Sequence, residues 1–275
     1  EFVFGDWSSD VCSSDLALII ADMNPLEGIV PKELFVFMEV PVSNHMFMVT
    51  LATVLLAIIL PLSLRTKKLV RTGFGNMIET VCEFLRNEVA RPFLGQHTDK
   101  HIGFIWTLFF FILTLNLLGM IPLGKIMYIF TGRAMHFEGA ATANIWIVGA
   151  LAMVAFCTIH ISGVRQQGLW NYIRNFAPPV PWFMIPFIYF LEVVGSLVRP
   201  FSLAVRLFAN MLAGHVLLAT LIGFIFIFKN VAATSASIIG VVAISLLELF
   251  VAFLQAYIFV FLTTIFIGFA VNPEH

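Results

Sequence analysis

Apolar residues in this chain gather in long runs separated by short polar breaks, with little of the alternation that marks half-buried strands. A helix needs about 20 mostly apolar residues to span a bilayer. Met46 to Leu64 supplies the first run, with Pro61 near its end, Ile102 to Ile121 a second, and Ala143 to Ile161 a third. Two later runs are overlong: 180–228, which carries Glu192, Arg199, Arg206 and His215, and 236–270, which carries Glu248 and Gln255. Excess length requires tilt, a bend or a course partly along the membrane plane. The two are therefore expected to form a steeply tilted antiparallel hairpin joined near Lys229 and Asn230. Between the first two spans, about 72–92, Phe74, Met77, Ile78, Val81, Cys82, Leu85 and Val89 recur at helical spacing, while Asn76, Glu79, Glu83 and Arg86 fill the other face. Such a segment is expected to lie on the membrane surface. The pattern predicts an all-α integral membrane protein: about five membrane-embedded helices plus a surface amphipathic helix, in a single membrane domain over 46–275.

The beginning of the chain is out of character. Residues 1–16, EFVFGDWSSDVCSSDL, are rich in Ser and Asp and lack the features of a secretory signal. They read as a non-native segment or as a disordered native terminus, and either way stand outside the fold. Residues 17–45 form an extracytoplasmic lead-in. Arg65, Lys67, Lys68, Arg71, Arg86, Arg91 and Lys100 place most of the positive charge between the first two spans, which makes that loop cytoplasmic by the positive-inside rule. Counting crossings from there puts the N-terminus outside and His275 on the cytoplasmic side.

Composition narrows the function. With 60% hydrophobic and 11% charged residues, the chain is far too apolar for a soluble enzyme. A net charge of −1 offers no basic face for nucleic acid. Cys12, Cys82 and Cys157 form neither a disulfide framework nor a metal-ligand spacing, so no metal or cofactor is expected. No GxxxxGK[ST] loop is present, which leaves nucleotide chemistry to other chains.

The polar residues inside the long runs carry the chemistry. Arg206 lies deep within 180–228, where a guanidinium costs about 2.5–3.5 kcal/mol on insertion scales and needs a partner or a function. A buried ion pair with Glu192 or Glu248 is one reading. At 100° per residue, Arg199, Ser202, Arg206 and Asn210 share roughly one stripe, which would face protein or water rather than lipid. His215 lies about 13.5 Å beyond Arg206 along a helix, and Glu248 about 10.5 Å before Gln255. In an antiparallel pair with Arg206 opposite Gln255, His215 must approach Glu248. Such a pair is either a proton relay or a fixed polar lock for the hairpin.

Three motifs carry a family resemblance: NLLGMIP at 116–122, LEVVGSLVRPFSLAVRLFANMLAGH at 191–215, and LQAYIFVFLTTIF at 254–266. Over about 44–275 the chain resembles the a subunit of the membrane sector of F-type ATP synthases. The resemblance implies that Arg206 is the essential arginine of the family's SLxxRLFxNMxAG pattern, with Asn210, Gly214 and His215 following it. Gln255 matches the family's Gln on the last helix, and Glu248 the polar residue two turns earlier. Some members carry Glu at the position of His215 and His at the position of Glu248. Here they are exchanged, which fits two side chains in contact. Glu192, Asn116 and Asn144 are implied as polar linings of the proton path. Trp146 stands where many relatives have a second Asn.

The same resemblance implies a non-catalytic, proton-conducting stator with two offset half-channels, placed in a bacterial plasma membrane. Its implied partners are a c-subunit ring, b-type peripheral stalk subunits, the rest of the ATP synthase and membrane lipids. A secondary cation/proton transporter is the alternative. It would show inverted repeats and unwound helices about a substrate site, and neither is visible in the sequence. His136 and Glu138 read as solvated loop residues, and His160, at the end of the third span, as an interfacial one.

Overall fold

The computed structural model describes residues 33–37, 40–64, 73–121, 141–174, 176, 181, 183–228 and 230–272. The atypical segment 1–16, residues 17–32 and 38–39 of the lead-in, the basic residues Arg65, Lys67, Lys68 and Arg71, the loop residues His136 and Glu138, the joining residue Lys229 and the terminal His275 lie outside these. A short ribbon opens the described part: β1 (Glu33–Phe37) runs antiparallel to β2 (Val40–Ser43), with Val36 opposite Pro41. The expected all-α pattern does not anticipate it. Its β-branched and aromatic content accounts for it. Everything else is helical.

Helix α1 (Asn44–Leu64) begins at Ser43, whose hydroxyl accepts the Met46 amide at 3.4 Å. After it, α2 (Phe74–Phe84), a π turn (Leu85–Ala90), α3 (Arg91–Leu94), a 3₁₀ turn (Gly95–His97) and α4 (Thr98–Met120) follow without a break. A π turn leaves the regular backbone ladder, and the Trp106 indole N–H donates to the Cys82 carbonyl at 3.0 Å beside it. Leu85, Val89, Ala90 and Leu94 point into the protein core, while Phe74, Met77 and Phe84 remain exposed. Only the earlier part of 72–92 thus offers an apolar outer face.

Helix α5 (Ile145–Gln167) starts at Asn144, whose side chain accepts the Trp146 amide at 2.9 Å. It runs beyond Ile161 because Gly168, with φ of 80°, supplies the left-handed position that ends it. The short α6 (Leu169–Arg174) follows. Helix α7 (Ile185–Phe228) has 44 residues and α8 (Val231–Val271) has 41. Hydropathy places the start of α8 at 236, but Asn230 caps it from the Ala232 amide at 3.2 Å. The polar first turns are accommodated locally, Ser235 donating back to the Ala232 carbonyl at 3.0 Å.

Helix α8 is the centre of the molecule and packs against α7, α5 and α4. Ala256, Phe259, Val260 and Ile267 of α8 meet Ile105, Phe109 and Ile112 of α4, Ala152 and Ala155 of α5, and Leu203, Ala204 and Leu207 of α7. Gly268 permits a particularly close approach, since a Cβ there would sit 2.7 Å from the Phe93 carbonyl oxygen. Among the described residues, five helical stretches are long and apolar enough to cross a membrane: Asn44–Leu62, Phe74–Met120, Ile145–Gln167, Ile185–Ile225 and Val231–Val271.

Candidate functional site

Contacts between the two longest helices run in opposite chain order. The Arg199 guanidinium lies 4.7 Å from the Phe266 ring centroid, His215 meets Glu248, and Leu221 packs against Gly240. Two polar side chains of α8, Glu248 at 5% exposure and Gln255 at 2%, are buried by this packing, as is Asn116 of α4. Asn116 lies between them in height, its side-chain amide donating to the Ala252 carbonyl at 3.2 Å.

His215 Nδ1 lies 3.5 Å from Glu248 Oε1, and its Nε2 donates to the Gly119 carbonyl at 3.2 Å. That second bond fixes the chemistry of the first. A carbonyl only accepts, so Nε2 carries a hydrogen, and in a neutral ring Nδ1 would turn its lone pair toward the carboxylate. The contact is favourable when a proton resides between them, on the imidazole or on the carboxyl. Neither atom has a hydrogen bond of regular geometry, so the contact is ionic in character. Gly214 makes room for it: a Cβ there would sit 2.6 Å from Glu248 Oε1. Asn116 Oδ1 and Gln255 Nε2 are also buried without a hydrogen-bond partner among the described residues. Buried amides of this kind are normally satisfied by water.

Arg206 stands apart from this cluster. It is exposed on α7, beside the buried stripe of Leu203, Ala204, Leu207 and Met211. Both carboxylates that could neutralise it are engaged elsewhere, Glu192 with Arg199 at 3.3 Å and Glu248 with His215. No ion pair or hydrogen bond reaches Arg206 among the described residues, and none joins it to Gln255. Ser202 is exposed next to it, and Asn210 is partly so. Phe201 and Val205 of the same helix are exposed as well. Arg206 therefore projects from the middle of a membrane-length helix with no charged partner among the described residues.

Asn144 sits apart as the cap of α5, behind the buried Ala141, Thr142 and Ala143, and Ala143 packs on Met211 of α7. A second polar cluster joins His160, Tyr172 and Ser196 where α5, α6 and α7 meet. The sequence pattern gives no sign of it, because its three members lie on three separate helices.

Five membrane-length helices with carboxylate, imidazole and amide groups packed between them define a multi-pass membrane protein with an ionisable interior. A family model described as "ATP synthase A chain" matches residues 46–268, and the chain belongs to that family. It is 37% identical over 242 residues to "ATP synthase subunit a" of Myxococcus xanthus, covering 86% of this chain and 75% of that protein. Against "ATP synthase subunit a" of Chloroherpeton thalassium the identity is 34% over 245 residues, covering 86% and 68%. "ATP synthase subunit a 2" of Chlorobaculum tepidum is 34% identical over 238 residues, which cover 84% of this chain and 64% of that protein.

Proposed function

We propose that this chain is the proton-conducting stator of the membrane sector of a rotary ATP synthase. Arg206 faces the membrane-buried carboxylates of a c-subunit ring, and two offset half-channels lead to them from opposite sides. The observation that carries the reading is the isolation of Arg206. An unpaired guanidinium against lipid would cost about 2.5–3.5 kcal/mol, so the face that presents it belongs against a partner bearing negative charge. A ring carboxylate supplies that charge when deprotonated. Once protonated it is released and can turn into lipid, where the ionised form could not go. Because the guanidinium stays charged, it also repels hydronium and prevents a direct leak between the half-channels.

His215 and Glu248 hold one proton between them beside Asn116 and Gln255, which suits the entrance half-channel, with Asn144 on its flank. Glu192 serves the exit side, and Ser202 and Asn210 line the surface around Arg206. In the membrane, α7 and α8 form a tilted antiparallel hairpin and α2 lies along the surface, with the N-terminus outside and the C-terminus cytoplasmic in a bacterial plasma membrane. A b-type peripheral stalk and the rest of the ATP synthase complete the machine, and membrane lipids cover the remaining apolar surface. ATP is made on other subunits, in keeping with the lack of a nucleotide-binding motif here. The transmembrane potential contributes about 2.3 kcal/mol per proton per 100 mV.

Cross-linking tests this assignment. Ala209 and Ala213 are exposed on the Arg206 side of α7. Ala209→Cys or Ala213→Cys is expected to form a disulfide with a cysteine placed one helical turn from the carboxylate of a ring subunit. Cross-links to the ring from Met153→Cys on α5 and none from α7 would put the ring on a different face.

A further inference from the structure

At the end of the bundle opposite the His215 and Glu248 pair, three side chains from three helices form an unbroken hydrogen-bonded chain. The Tyr172 hydroxyl of α6 lies 2.7 Å from His160 Nδ1 of α5, and His160 Nε2 lies 2.9 Å from the Ser196 hydroxyl of α7. Both ring nitrogens are thus engaged, one on each side. Every member can accept one hydrogen bond while donating another.

The chain borders a cavity of about 270 Å³ that also exposes Glu192, Arg199, Gln167 and Pro200. Pro200 has no N–H for the Ser196 carbonyl one turn back, which leaves a backbone acceptor beside the Ser196 hydroxyl. Charged and polar walls of this sort hold water. The far end, Tyr172, belongs to the short helix beyond the α5 span. Burial, with Tyr189 nearby, pushes its hydroxyl up to about 12, so it remains a neutral O–H that can both accept and donate.

Local construction favours the chain. Gly163 of α5 lies directly under the Tyr172 ring, and a Cβ at that position would overlap it. The missing side chain lets the ring lie flat enough for its hydroxyl to reach His160. Phe156 holds the imidazole edge-on, with ring centroids 4.2 Å apart. Gln167 ties α5 to the end of α8 by donating to the Ala270 carbonyl at 2.7 Å.

We propose that Ser196, His160 and Tyr172 are a proton wire that carries protons out of the Glu192 cavity to the cytoplasmic surface, with His160 as its central relay. The inference rests on the proton-conducting reading of the chain. A proton arriving from cavity water protonates the Ser196 oxygen while Ser196 gives its own proton to His160 Nε2. The imidazole releases its Nδ1 proton to the Tyr172 oxygen, and Tyr172 gives its own proton to water. No net charge is left behind. Reorientation of the two hydroxyls and the imidazole resets the chain.

The test uses the complete membrane sector in vesicles, stripped of its soluble sector, with passive proton flux read from a trapped pH dye under an imposed potassium diffusion potential. His160→Ala is expected to lower flux about tenfold or more. Added imidazole, which fits the space vacated by the side chain, is expected to restore much of it. Tyr172→Phe keeps the ring contacts, loses only the hydroxyl, and is also expected to lower flux. Unchanged flux in Tyr172→Phe, or a loss in His160→Ala that imidazole leaves unrepaired, overturns the wire and makes the cluster a packing device. An Arg206→Ala control, assayed for gradient-driven ATP synthesis in the complete ATP synthase, separates this outcome from failure of the wider reading: if that variant still supports coupled synthesis, the stator assignment itself falls.

Discussion

Arg206→Ala is expected to abolish ATP synthesis driven by a proton gradient while the chain remains assembled with its ring. Assembly should survive because Arg206 is exposed and makes no ion pair with the described residues, so its removal strands no buried partner among them. Function should not survive, because the ring carboxylate would lose the cation that favours its deprotonation and the barrier that separates the half-channels. The variant should therefore show two effects together: no coupled synthesis, and a raised passive proton leak through the membrane sector. A simple scaffold role predicts neither. Arg206→Lys should recover little if a planar, bidentate fork is what the ring carboxylate meets, since an ammonium is a compact point charge.

The second large effect is expected at the buried His215 and Glu248 pair. His215→Ala leaves a carboxylate at 5% exposure with no cation beside it. Breaking a buried pair by removing one partner costs about 3–5 kcal/mol, and here it also takes the imidazole out of the relay. Glu248→Ala leaves Nδ1 facing an apolar space and should lose flux as severely. The exchange variant, His215→Glu with Glu248→His, keeps one acid and one imidazole in contact and should retain more proton flux than either single change. Equal loss in all three would reduce the pair to a structural lock. Gly214→Ala probes the same contact from the backbone side. Its new Cβ would press on Oε1 from 2.6 Å and should lower flux with no change in the amount of assembled chain.

The spans themselves follow from hydropathy, but their ends are set by single residues. Asn144 and Asn230 start α5 and α8 through side-chain caps, and Gly168 stops α5, so the helices extend past the apolar cores that reveal them. The ribbon strands at 33–37 and 40–43 and the π turn at 85–90 escape a periodicity argument altogether. One is too short to show a pattern, and the other keeps its side chains near helical spacing while its backbone bonds change.

In the site, the approach of His215 to Glu248 is legible because helical rise is constant and two sequence separations of similar length must match in an antiparallel pair. The solitude of Arg206 is not legible. It depends on whether Glu192 and Glu248 choose it or choose Arg199 and His215, and that choice is made by side-chain reach and packing. The His160 cluster is hidden for a related reason. Its chain depends on Gly163 admitting a tyrosine ring from the next helix, and nothing in the spacing of His160, Tyr172 and Ser196 reports that proximity.

A cryo-electron microscopy map of the assembled membrane sector, with side chains resolved at the level of Arg206, is the decisive measurement. The guanidinium should lie next to an acidic side chain of an adjoining ring helix, close enough to pair with it directly or through one water. Finding it turned up to the headgroups, or closed onto Glu192 or Glu248 of its own chain with no ring helix alongside, would contradict the account.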